Sequence, residues 1–142
     1  MTVFGVNAAQ ATNIGNQGCT PGYWKNHTKN WEETTPSTLF SSLYKEARSN
    51  VASKTLVQAL QGGGGPGADG AAIILARAAT AAWLNAAHEG LGYPWRRNSE
   101  GLGDRPALVP TVNAAFVTGD RATMLALAER LDKDNNLGCP LN

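Results

Sequence analysis

Charge is scarce in this chain: 16% of its 142 residues are charged, and twelve basic residues nearly balance eleven acidic ones for a net +1. An average soluble domain carries about 25%, so little surface is left for ion-pair networks. The Lys and Arg residues are scattered, which leaves no field strong enough to gather phosphates, and nucleic acid is excluded as a partner. Long apolar runs are missing too. Gly, Arg, Asn or His interrupts each one short of the ~20 residues that a membrane span requires, so no span is expected. Met1-Thr2-Val3-Phe4 has neither a basic start nor a long hydrophobic stretch and does not read as an export signal. Reactive side chains are equally few, with two histidines and two cysteines in the whole sequence.

What is present fits one domain, because 42% hydrophobic residues suffice for a single core and one core typically serves about 100 to 200 residues. Cys19 and Cys139 frame that domain. An even pair so placed predicts a disulfide, and closing a loop of about 120 residues removes denatured-state entropy equivalent to about 4 to 5 kcal/mol. Such a bridge implies an oxidising compartment; the alternative is two buried thiols in a cytosolic protein. Neither cysteine lies in a Cys-x-x-Cys or beside a second local ligand, so redox catalysis and zinc binding are weak readings.

Helical spacing runs through most of the remainder. Thr20 is placed to cap a helix with Pro21 at its first position, and the predicted helix reaches Trp31 so that Trp24 and Trp31 share a face. A second helix is expected after Ser37 or Thr38, through Leu39, Phe40, Leu43, Tyr44 and Ala47. A third, capped by Ser53, covers 54–61. The glycine run from Gly62 to Gly67 should break the pattern and form a flexible connection. From Asp69 to Glu89 comes the strongest helix, whose Ala71, Ile74, Leu75, Ala78, Ala81, Ala82 and Leu84 make a broad apolar surface that neighbours can approach closely. It is expected to be the central, most buried element. Residues 93–107 read as a long irregular loop, Pro110 or Thr111 starts another helix to Gly119, and Asp120 caps the last, Arg121 to Lys133, with Glu129 set to pair with Lys133 at i+4. The fold class is therefore all-α: five or six short helices around an alanine-rich one over 19–142, preceded by an extended arm or linker over 1–18 in which Thr2 to Val6 could form a short strand.

Candidate chemistry is thin. His27 and His88 lie beside large apolar groups and could meet to bind a metal or to act as acid and base, with Glu32, Glu89 or Arg77 nearby, yet two imidazoles lack the third donor that zinc or copper needs. Tying helix ends or loop carbonyls is their blander role. The glycine run before a helix resembles a phosphate cradle but lacks the Gly-Lys-Ser/Thr ending and a leading strand. Asp132 to Gly138 alternates oxygen side chains as calcium loops do, without a closing glutamate. No serine sits in Gly-x-Ser-x-Gly. Asn26-His27-Thr28 matches a glycosylation acceptor, a common chance match. The more suggestive set is Tyr93, Trp95, Arg96 and Arg97, aromatic and guanidinium groups of the kind that stack on sugars or anchor protein contacts, in a loop expected to expose Trp95. Trp24 and Trp31 read as core.

Cys19-Thr20-Pro21-Gly22-Tyr23-Trp24-Lys25-Asn26-His27, Leu84-Asn85-Ala86-Ala87-His88, Tyr93-Pro94, Gly119-Asp120-Arg121 and Asn135-Asn136-Leu137-Gly138-Cys139-Pro140-Leu141 occur in order. Together they resemble a family of uncharacterised secreted or surface bacterial proteins. The resemblance covers nearly everything from Cys19 onward and implies export, paired end cysteines and a compact helical domain; it brings no activity and no catalytic residue. The functional expectation is a non-enzymatic extracellular structural or interaction domain, secreted or at the cell surface and without a cofactor. Its partners would be other copies of itself, an extracellular protein or a glycan. Val3, Phe4 and Val6 of the arm would pack against a neighbouring copy in a surface layer or filament. The alternatives are a small secreted metal-dependent enzyme using His27 and His88, or a glycan-binding module using Tyr93 and Trp95.

Overall fold

The computed structural model describes residues 16–98 and 106–141. The expected strand at Thr2 to Val6, with Val3, Phe4 and Val6, lies outside the described residues, as do Ser99 to Arg105 of the long loop. The described chain is all-α, with seven α-helices and no named strand. They are α1 (Pro21–Asn26), α2 (Phe40–Leu43), α3 (Ser49–Ala52), α4 (Leu56–Gln61), α5 (Gly67–Ala87), α6 (Leu108–Thr118) and α7 (Arg121–Asn135), with single 3-10 turns at Thr28–Asn30 and Glu89–Leu91. Six helices thus surround α5, and α7 packs along it as its main neighbour.

Local chemistry sets most of the ends. Thr20 caps α1, its hydroxyl accepting from the Tyr23 N–H at 3.0 Å, and Pro21 occupies the first position as expected. Asp120 caps α7 by accepting from both the N–H and the hydroxyl of Thr123. Other boundaries differ from the sequence reading. The first helix stops at Asn26, where His27 leaves helical geometry, and a 3-10 turn carries the chain to Trp31. The second predicted helix is cut short: α2 ends at Leu43, Tyr44 and Ala47 fall in the turn at 44–48, and α3 begins at Ser49, past the predicted stretch. Thr55, not Ser53, caps α4, in a capping box with Gln58 that satisfies two backbone donors reciprocally. Helix α6 begins two residues before Pro110, which sits in the first turn where a missing N–H is harmless. Its free donors are met by the loop before it: the N–H groups of Leu108 and Val109 donate to the carbonyls of Arg96 and Arg97 at 2.6 and 2.9 Å.

Helix α5 is the axis of the core. It has the length and composition to cross a membrane, which corrects the expectation drawn from interrupted runs, but 72% of its most apolar window is buried inside the domain. Its small residues let other chain segments lie directly on it. The glycine run does so: a Cβ on Gly70 would collide with the backbone of Gly65, and one on Gly62 would strike the Arg77 side chain. The Gly65 and Gly67 carbonyls both accept from Arg121 Nη1, at 2.7 and 2.8 Å. The run is exposed from Gly63 to Gly67, yet it is tied down at the start of α5 and, through Arg121, to α7, where it offers carbonyls rather than a cradle of N–H groups.

Candidate functional site

The feature that organises the molecule is where the two ends of the helical domain meet. Gly18 and Gly138 exchange both backbone hydrogen bonds, at 3.1 and 3.2 Å, in antiparallel pairing. Cys19 and Cys139 are joined as a disulfide with Cα atoms 4.6 Å apart. The bond is present as expected and points to an oxidising environment. Glycine is required at Gly18 by space, since a Cβ there would meet the Asp134 carbonyl, and at Gly138 by its φ of +128°. The preceding residues belong to the same clamp: the N–H groups of Asn16 and Gln17 donate to the carbonyls of Gly92 and Leu91. The predicted arm therefore becomes part of the domain from Asn16 onward.

Beneath the clamp lies a buried polar network built on two asparagines. Asn85, fully buried on α5, accepts through Oδ1 from the Cys19 N–H at 2.8 Å and from Trp24 Nε1 at 3.1 Å. Its Nδ2 donates to the Cys19 carbonyl at 2.9 Å and to Asn135 Oδ1 at 3.0 Å. Asn135, also fully buried, accepts from the Tyr93 hydroxyl at 2.6 Å and donates to the Ala78 carbonyl. The Asn85 amide thus grips both the N–H and the carbonyl of Cys19 and, together with Asn135, links α1, α5, α7 and the loop after α5. Sequence reasoning quoted Asn85 and Asn135 within motifs and gave them no role. The signal was an asparagine amid alanines on the most buried helix, where its low helix propensity and its need for partners both argue against chance.

The two aromatic side chains in the described part of the predicted binding loop face inward. Tyr93 and Trp95 are each 1% exposed, which corrects the expectation that Trp95 is presented to solvent. The glycines and prolines around it mark irregular backbone, while the indole is too large an apolar surface to leave in water. Trp95 Nε1 donates to Asp134 Oδ2 at 2.8 Å, and the Arg130 guanidinium lies 4.5 Å from the ring centroid. Arg97 covers Trp83 at 4.7 Å and pairs with Glu33 at 2.5 Å, Glu33 holding a left-handed φ of 72°. Arg96 and Arg97 also supply the carbonyls that begin α6. Tyr93, Trp95, Arg96 and Arg97 therefore fasten a loop to the core, and neither described ring offers a free face for a sugar. Burial raises the Tyr93 hydroxyl far above the ordinary tyrosine range, assisted by the Asp134 carboxylate, and burial also raises Tyr44.

The histidines are engaged separately. His27 stacks on Tyr23 with centroids 4.1 Å apart and donates from Nδ1 to the Tyr23 carbonyl at 2.8 Å. His88 donates from Nε2 to the Asn30 carbonyl at 2.5 Å, lies 5.3 Å from the Trp24 ring and faces Glu32 at 3.6 Å. Among the described residues no three His, Cys, Asp or Glu side chains converge as metal ligands. The calcium-like stretch is divided in three ways: Asp132 to Asn135 finish α7, Asp134 holds Trp95, and Asn135 turns into the core.

An open groove of about 540 Å³ runs between α5 and α7. Apolar Ile74, Ala122, Leu125, Ala126 and Ala128 line it together with the carboxylates Glu129 and Asp132. Desolvation raises the Asp132 carboxyl above its ordinary value, against the lowering effects of Asn135 and Arg77. No protein-family model, curated protein or solved structure matches this chain.

Proposed function

We propose that this chain is a non-enzymatic structural domain that is exported and works by contact with other copies of itself. The observation that carries this reading is the clamp: both cysteines are used to join the ends of the helical domain, and a buried amide holds that joint on α5. A bridge between the ends is of use where thiols oxidise and where unfolding is not followed by rescue, which favours the cell surface or its surroundings. The fifteen residues before Asn16 contain no charged side chain and carry Val3, Phe4 and Val6. The open α5–α7 groove is lined mainly by apolar side chains, and the arm of a neighbouring copy is the occupant proposed for it. Burying three such side chains stabilises by about 1.5 to 3 kcal/mol each, offset by ordering of the arm, so each contact is weak and assembly depends on many of them.

The test is particle mass by light scattering across a concentration series. Intact chain should assemble, while chain lacking residues 1–15, or carrying Leu125→Lys in the groove, should remain monomeric with unchanged helical content. Equal masses for all three would overturn the proposal.

A further inference from the structure

The way the two ends leave the domain determines what tension would do to it. Because Gly18 and Gly138 pair antiparallel, the segment before Gly18 and the segment after Gly138 run outward side by side in one direction. The sulfur bridge joins the residue just inside this pairing on one segment, Cys19, to the residue just outside it on the other, Cys139. We infer that this arrangement is a covalent load path, by which tension applied along the chain passes through the Cys19–Cys139 bond and bypasses the helical domain.

The path is short. It enters by Gln17 and Gly18, crosses from Cys19 to Cys139 over a Cα separation of 4.6 Å, and leaves by Pro140. Every helix among the described residues lies in the loop between the two cysteines and hangs beside the line of force. What keeps that loop attached to its base is the Gly18–Gly138 pair and the double grip of Asn85 on the Cys19 peptide. Without the sulfur bond the same geometry is mechanically poor. Antiparallel ends pulled apart load their hydrogen bonds one after another rather than together, and each contributes only about 0.5 to 1.5 kcal/mol net. The helices would then be drawn out from both ends. The inference does not depend on self-assembly: it holds for a filament subunit, a tethered surface domain or a single molecule, and it is tested on single molecules, where assembly plays no part.

Single full-length chains would be tethered through added handles at their two termini and stretched, first oxidised and then in the same buffer with reductant. The bridge spans 120 residues of sequence, and the extended chain covers at most ~3.3 to 3.6 Å per residue, so the hidden length is about 400 Å. The oxidised chain should show no step of that size up to forces at which the tether itself fails. The reduced chain should lengthen by about 400 Å at low force, or begin longer by that amount if it no longer folds. Cys19→Ser/Cys139→Ser should match the reduced chain without reductant. An oxidised chain that lengthens by the hidden length, or a reduced one that stays short at forces the oxidised chain bears, would overturn the inference.

Discussion

Replacing Asn85 with alanine should be among the most damaging single changes in the molecule that leave the disulfide in place. The side chain is fully buried and makes four hydrogen bonds, to the Cys19 N–H, the Cys19 carbonyl, Trp24 Nε1 and Asn135 Oδ1. Asn135 Oδ1 would keep the Tyr93 hydroxyl; the other three groups would lose the Asn85 amide that holds them. A buried polar group left unsatisfied costs about 1 to 3 kcal/mol, so the simple sum is about 3 to 9 kcal/mol. Water entering the space lowers this, and we expect about 3 to 5 kcal/mol. That is a large share of the roughly 5 to 15 kcal/mol that holds a domain together. Asn85→Asp keeps the acceptor, loses both donors and buries a charge, so it should be at least as harmful. The assay is urea unfolding of the oxidised proteins followed by far-ultraviolet circular dichroism, with the midpoint compared at a common slope. A loss below about 1 kcal/mol for Asn85→Ala would refute the reasoning, because it would mean that the network beneath the clamp is not what secures Cys19 to α5.

Trp95→Ala should destabilise by about 3 to 5 kcal/mol, as for large-to-small changes in a core, and calorimetry should register this as a fall in Tm; an exposed tryptophan would show almost none. Gly70→Ala should cost about 1 to 3 kcal/mol despite alanine's better helix propensity, because its Cβ meets the Gly65 backbone, and thermal unfolding measures the sign directly. The raised tyrosines give a pH dependence of fixed sign. Tyr44 and Tyr93 bind their protons more tightly folded than unfolded, so their contribution is fully present below the ordinary value of 10.0 and is lost as pH rises above it. Absorbance of phenolate on an alkaline titration should show these two ionising only as the helical signal collapses.

Much of the fold was legible because its signals are local. Thr20-Pro21 and Asp120 announce helix starts by chemistry that operates within a few residues, and the alanine periodicity of 71–84 needs one buried face whatever covers it. The end-to-end bridge followed from counting cysteines. The errors came where tertiary partners override local pattern. Trp24 and Trp31 are spaced as if on one helix, and they do meet, but through a hydrogen bond from Trp31 Nε1 to the Trp24 carbonyl after the helix has ended at Asn26. Trp95 stands among glycine, proline and arginine, a composition read as surface, and its burial depends on Asp134 and Arg130 from a helix well over thirty residues away. The Asn85–Asn135 network was invisible for the same reason, since no spacing rule couples residues 50 positions apart.

The claim on which the rest stands is tested most directly by peptide mapping of unreduced protein from its native source, digested after every accessible thiol has been blocked. The account predicts a single linked species containing Cys19 and Cys139, with neither sulfur blocked. Recovery of both cysteines as separate, blocked peptides before any reductant is added would contradict it.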